Sequence, residues 1–305
     1  MLRKRRWPII IGFLTPALVL YLMFIVYPFL SSIRYSLYNW NGVGPLVDFI
    51  GLKNFTYVLF SHEFAPQFWR AVAHNLYFFV LSMILTSVFG LFLAYLLVAV
   101  KERASRWFQV IYFIPMVVPP VVVAYIWSMY LEPDYGAISR ALTALHLNVL
   151  NVPFLGSGSL ALPTIAVITA WAGMGFPILI FIAAMINIPE EMIEAAKVDG
   201  ASRTRIFFSV IFPFIKPTFL TITTLNFVGA FGAFDYIYIM EGTQAGPNYA
   251  TDVIGTLFYR TAFGGFGTTA QGVGLATALA FVGFIIVMIA STFLVLLQRK
   301  ASMDL

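Results

Sequence analysis

The 305-residue chain is 61% hydrophobic and 10% charged, with a mean hydropathy of +0.90, whereas an ordinary soluble domain carries about 25% charged residues. A soluble fold cannot hide that much apolar surface, and the absence of cysteine excludes disulfides, thiolate metal sites and cysteine nucleophiles. The net charge of +5 does not point to nucleic acid, because the basic residues sit at the ends of apolar runs and form no continuous patch.

Six runs are long enough to cross a hydrocarbon core, near 9–30, 76–100, 107–131, 160–186, 212–234 and 272–297. The expected fold class is an all-α, polytopic integral membrane protein with six transmembrane helices. Arg3-Lys4-Arg5-Arg6 precedes the first run, which is too long for the apolar core of a signal peptide and lacks a following A-x-A-like site, so a retained span is expected. With the N-terminus inside, thirteen Lys and Arg fall in inner segments and five in outer ones, together the 18 in the chain. That asymmetry puts both termini and the loop around Glu194 in the cytoplasm.

The first outer loop, 31–73, carries Phe49-Ile50-Gly51-Leu52-Lys53-Asn54-Phe55 and then Phe68-Trp69-Arg70-Ala71, with Asn75 just beyond. On residues alone it reads as a folded loop with aromatic anchors at the membrane interface. In the third run Pro115, Pro119 and Pro120 remove backbone donors, which predicts a kink or local break. Either a moving pathway uses the break or neighbouring helices simply tolerate it. The loop 132–159 holds a short helical pattern around 138–145.

The fourth run contains Thr169-Ala170-Trp171-Ala172-Gly173-Met174-Gly175-Phe176-Pro177, which predicts a bent or widened helix with an aromatic face open to a ligand. Aromatic faces suit the apolar faces of sugar rings, and plain helix packing accounts for Trp171 equally well.

Between the fourth and fifth runs lies a charged amphipathic insert, 188–217. Pro189 suits a first helical position, and Glu190 and Glu191 suit a first turn where the helix dipole favours carboxylates. Glu190, Glu194 and Lys197 form a polar stripe, while Met192, Ala195 and Ala196 form another face whose small alanines admit a close partner. Gly200 predicts a reversal with positive φ, and Ser202 predicts the cap of a second short helix over 203–212, ahead of Pro213 and Pro217. The alternative is an interfacial helix on which Glu194 and Lys197 pair with each other.

The fifth run holds Thr221, Thr223, Thr224 and Asn226, and an amide inside a bilayer must face the bundle or a wet cavity. Gly229 and Ala233 form a small-xxx-small packing face. Phe234-Asp235, Gly246-Pro247 and Thr251 follow, and the run Gly264-Gly265-Phe266-Gly267 reads as a flexible loop because it neither follows a strand nor opens a phosphate-binding loop.

Glu194-Ala195-Ala196, Asp199-Gly200-Ala201, Phe207, Pro213 and Pro217 together resemble the EAA loop of ABC-importer permeases, the membrane subunits of binding-protein-dependent uptake systems. The resemblance covers most of 9–300. It implies a MetI-like permease fold, one transmembrane domain over 1–305, and a cytoplasmic coupling loop at 188–217. The segments of the first outer loop, Gly136-Ala137-Ile138 and the W-x-G of Trp171 and Gly173 resemble the carbohydrate branch, in the first permease of the maltose or glycerol-3-phosphate type. Matching to that branch assigns ATPase coupling to Glu194, Ala195, Ala196, Asp199, Gly200 and Ala201, and the substrate path to Thr169, Trp171, Gly173, Phe176 and Asn226. Ser139 stands where relatives often carry Asn; Ala230 stands where maltose transporters place a polar contact, so an identical substrate is not implied; and 241–245 is longer and more polar than usual, which implies different contacts to the binding protein. The implied partners are a second permease in a heterodimer, two cytoplasmic ATP-binding subunits, an extracytoplasmic solute-binding protein, a sugar and membrane lipid, with no nucleic acid. The implied location is a bacterial or archaeal inner membrane, with no metal and no cofactor on this chain.

No G-x-x-x-x-G-K-[ST] sequence occurs, so energy must come from a partner. Two rivals stand beside this reading: the same machinery carrying glycerol phosphate or a polyol, and a membrane-embedded hydrolase or transferase. Against the latter, Pro66 occupies the place of the second histidine after His62-Glu63, Gly156-Ser157-Gly158-Ser159 lacks the order of a nucleophile elbow, and the apolar runs hold almost no ionisable groups.

Overall fold

The computed structural model describes residues 6–265 and 271–303. Arg3, Lys4 and Arg5 of the basic cluster and Phe266 and Gly267 of the glycine-rich run lie outside the described residues. Among the described residues the fold is helical, with an isolated bridge between Tyr38 and Phe49. Four helices are long and apolar enough to cross a membrane: Ile11–Tyr35, Ala65–Ala99, Arg203–Phe231 and Val273–Ala301. Two bent pairs, Glu102–Val117 with Pro120–Tyr130 and Ala161–Gly173 with Gly175–Ile186, raise the number to six if each pair is one span.

The chain divides into two compact units. One comprises Met1–Phe68 and Phe258–Val282. Within it Ile11–Tyr35 buries none of its apolar window, so its side chains are left for lipid or a partner subunit. The loop that follows is tied by Asn54, whose amide donates to the carbonyls of Ser36 at 2.9 Å and Tyr38 at 3.0 Å. That amide is committed to the fold.

The other unit comprises Trp69–Leu257 and Gly283–Leu305. A large core in it joins Leu91, Ala94 and Leu97 of the second span to Ile178, Phe181 and Met185 of the fourth and to Ile211, Ile215 and Ile222 of the fifth. With lipid as solvent, shape-matched packing rather than water exclusion holds these helices together. Gly175 allows the third span to approach the fourth closely: a Cβ there would lie 2.6 Å from the Tyr112 carbonyl oxygen and 2.8 Å from Phe113 Cα.

Two sequence expectations change and one is sharpened. The segment Phe68-Trp69-Arg70-Ala71 and Asn75 is not loop; it belongs to Ala65–Ala99, because Phe68, Ala71, Val72 and Asn75 recur at helical spacing and are buried. Of the kink or local break expected in the third run, the structure has the break: its halves meet at 94°. Val118 and Pro119 are extended, with ψ of 131° and 138°, since a residue before proline is pushed out of the helical region. Finally, the helix opening at Arg203 does not stop near Phe212 but continues to Phe231. A widened π-type turn at Phe207–Ile211 precedes Pro213 and carries the chain past the missing proline donor.

Candidate functional site

Polar side chains of the second, fourth and fifth spans meet at one place. Asn226 on the fifth span donates both amide hydrogens to the second span, to Thr86 Oγ1 at 2.7 Å and Ser87 Oγ at 2.8 Å. Neighbouring residues diverge by about 100° on an ordinary α-helix, but Thr86 and Ser87 lie in a π-type turn, Met83–Val88, whose wider winding lets both hydroxyls reach one amide. The orientation of the amide follows from Thr86. Its hydroxyl donates to the Ser82 carbonyl at 2.7 Å, so it accepts from Asn226. Asn226 Oδ1 is then the free end, with no protein partner among the described residues.

Beside this junction is a cavity of about 280 Å³ lined by Ser82, Thr86, Thr169, Gly173, Asn226 and Asp235, with apolar walls that include Phe78 and Leu225. Among the described residues no Lys or Arg lines it. Of the residues that the sequence assigns to the substrate path, Thr169, Gly173 and Asn226 come together here. Gly173 presents open space, since a Cβ there would meet nothing within 4 Å. Trp171 and Phe176 are not in the lining. Trp171 is 45% exposed and packs edge-on against Trp127 at 5.6 Å, and Phe176 is also exposed. Ser82, Thr86 and Ser87 are not singled out from sequence, and Asp235 is noted there only in the segment after the fifth run. The three are hydroxyls clustered within the apolar second run, and hydroxyls seldom signal a site because they usually bond their own helix.

Above the fifth span Asn75, wholly buried, donates to the Ala230 carbonyl at 2.6 Å and accepts from the Ile254 amide at 2.9 Å. His74 Nδ1 lies 2.8 Å from the Asp252 carbonyl. Glu241 ends the helix Asp235–Glu241, and its Oε1 is shielded with no partner among the described residues. Burial pushes its carboxyl up to about 8.

The amphipathic loop forms a second feature. The helix Glu190–Val198 starts after Pro189, which is extended at the N-cap (ψ 128°) rather than at the first helical position. At its end the Ala201 amide bonds the Ala196 carbonyl and the Gly200 amide bonds the Lys197 carbonyl, each at 3.0 Å, with Gly200 at φ +72°. This paired closure requires a left-handed residue, which glycine supplies without steric cost. It also folds Ala196 and Ala201 onto the same side, where both pack against the large core. Ala196 therefore turns inward with Ile193, while Met192, Glu194, Ala195, Val198, Asp199 and Gly200 are exposed. Among the described residues Glu194 and Lys197 form no ion pair. Ser202 caps the next helix by accepting from the Arg205 amide at 3.3 Å.

Helices of spanning length, a polar cavity among them and an exposed amphipathic loop define a membrane transport subunit. Residues 86–302 match the model of the family described as binding-protein-dependent transport system inner membrane component, and the chain belongs to that family. It is a multi-pass membrane protein and a transport subunit rather than an enzyme. It is 32% identical to a probable ABC transporter permease protein, YurN, of Bacillus subtilis (strain 168), over 94% of each chain. It is 30% identical to the diacetylchitobiose uptake system permease protein NgcF of Streptomyces coelicolor, over 95% of this chain and 82% of the relative. In fold it is similar to the crystal structure of a bacterial ABC transporter involved in import of the acidic polysaccharide alginate, with a TM-score of 0.79 and 24% identity over 97% of this chain and 96% of that one.

Proposed function

We propose that this chain is the permease subunit of a carbohydrate ABC importer, acting as a single six-span transmembrane domain over 1–305. The single observation that carries the reading is the cavity where Ser82, Thr169 and the free Oδ1 of Asn226 present hydrogen-bonding groups inside an otherwise apolar bundle. Such groups match a neutral polyhydroxylated solute. Asp235 with no lining cation favours a sugar over glycerol phosphate, although a glycerol-3-phosphate permease, UgpA of Shigella flexneri, is a relative at 28% identity. The names of NgcF and of the xylose/arabinose import permease XacH of Haloferax volcanii support the same class.

An extracytoplasmic binding protein delivers the sugar, a second permease completes the path, and two cytoplasmic ATPase subunits supply the energy. Both termini and the Gly200 loop are cytoplasmic, as the distribution of Lys and Arg favours. Glu194, Ala195, Asp199 and Gly200 meet the ATPase, while Ala196 and Ala201 hold the loop to the bundle so that ATPase closure tilts the spans and re-aims the cavity. Trp171 and Phe176, exposed on the fourth span, face the second permease or the solute as it passes.

The test is ATP-driven uptake by vesicles carrying the complete importer, using labelled sugars that its binding protein retains and glycerol 3-phosphate as the competing class. Accumulation of a neutral sugar supports the reading. Accumulation of glycerol 3-phosphate alone contradicts it.

A further inference from the structure

Three serine or threonine side chains line the cavity, and they are not equivalent. Thr86 returns its hydroxyl hydrogen to the Ser82 carbonyl at 2.7 Å, and Thr169 returns its own to the Ile165 carbonyl at 2.8 Å. Elsewhere in the spans Thr221, Thr223, Thr224 and Thr277 make the same i−4 bond. Ser82 does not. It is 8% exposed, its Oγ is shielded, and that oxygen has no hydrogen-bond partner among the described residues.

A hydroxyl left unpaired in an apolar interior opposes folding, and rotation onto the carbonyl one turn back is its usual relief. The protein instead holds Ser82 in the lining, one turn before the junction of Thr86 with Asn226. Two residues that line one space therefore carry unmet hydrogen-bonding capacity: Ser82, whose hydroxyl is shielded in the free chain and can donate and accept, and Asn226, whose Oδ1 can only accept. A sugar hydroxyl satisfies both needs, since it donates one hydrogen and accepts another. The volume of about 280 Å³ is near the lower end of small-molecule pockets and fits one sugar ring rather than a whole oligosaccharide.

We propose that Ser82 is a specificity-determining residue of the transport path, hydrogen-bonding a ring hydroxyl of a single neutral sugar unit held beside Asn226. This rests on the carbohydrate reading above. A group that waits for a ligand is dispensable for folding, and that separates it from a structural serine.

The experiment uses the complete importer in vesicles with labelled xylose, diacetylchitobiose and maltodextrin as probes, together with the thermal midpoint of the purified chain in detergent. For the sugar that the wild type carries, Ser82→Ala is expected to raise KM roughly tenfold, the scale of one lost hydrogen bond, and to leave the midpoint unchanged or higher. Ser82→Thr, which keeps the hydroxyl, is expected to recover part of that loss. Unchanged KM in Ser82→Ala, beside a transporting wild type, overturns the proposal. So does a fall in midpoint or a failure to assemble, because the hydroxyl would then be structural. A wild type that carries none of the three sugars, yet carries glycerol 3-phosphate, overturns the carbohydrate reading itself.

Discussion

Asn226 and Thr86 stand 140 positions apart in the chain and are joined by a 2.7 Å hydrogen bond that ties the fifth span to the second. The amide thus serves two purposes: its nitrogen locks two helices while its oxygen is left for the cavity. Asn226→Leu and Thr86→Val should each lower the thermal midpoint in detergent. Their double-mutant cycle should give a coupling of about 0.6–1.7 kcal/mol, the range found for hydrogen bonds between membrane helices. Strict additivity would mean that the bond contributes nothing to stability.

Gly175 and Gly173 are two residues apart on the bend of the fourth span but have opposite surroundings. A methyl group at Gly175 would strike the backbone of Tyr112 and Phe113, whereas one at Gly173 meets open space. Gly175→Ala should therefore cost about 1–3 kcal/mol through overpacking, and Gly173→Ala should leave the midpoint unchanged. Equal stability of the two variants would show that the crossing of the third and fourth spans is looser than the structure indicates.

Glu241 is a buried carboxyl whose pKa is raised to about 8, by burial. Between its ordinary value of 4.5 and about 8 the folded chain keeps a proton that the unfolded chain loses. Its contribution to stability is therefore fully present at low pH and is lost as pH rises through that window. The midpoint of Glu241→Gln relative to wild type should be higher at pH 9 than at pH 5. A difference independent of pH would show that the carboxyl is charged and solvated throughout.

The apolar spans are legible because about 20 uninterrupted apolar residues have no other common use. Their ends are less so. Arg70 interrupts the hydropathy of the second span, yet Phe68, Ala71 and Asn75 continue its buried face. Pro213 and Pro217 read as boundaries because proline lacks a donor, and the widened turn at Phe207–Ile211 that accommodates them has no sequence mark of its own. In the site, Asn226 stands out because an amide cannot satisfy itself on its own helix, and Gly200 because the helix periodicity ends there. Ser82, Thr86 and Ser87 are silent, since hydroxyls in a span ordinarily bond the preceding turn. Trp171 is conspicuous in sequence but outside the cavity lining, because the bend at Met174 and its contact with Trp127 decide where its ring lies.

The loop at Gly200 isolates backbone strain from packing. Its φ is +72°, and a Cβ would meet no neighbour within 4 Å, so the penalty of a side chain is conformational, about 1–2 kcal/mol. Binding-protein-stimulated ATP hydrolysis in the reconstituted importer should be reduced by Gly200→Val and largely kept by Gly200→Asn, because asparagine tolerates the left-handed region. Full stimulation in Gly200→Val would remove the coupling role from this turn.

The central claim is that sugar passes beside Thr169 and Asn226, and the cysteine-free chain allows a direct measurement. A single Thr169→Cys variant, assembled with its partners in vesicles, is treated with a small thiol reagent during ATP-driven turnover, with and without saturating transported sugar. The modification rate is expected to fall several-fold with that sugar and to be unaffected by a sugar that the importer does not carry. An identical rate under all three conditions, in vesicles that demonstrably transport, would contradict a substrate path through this cavity.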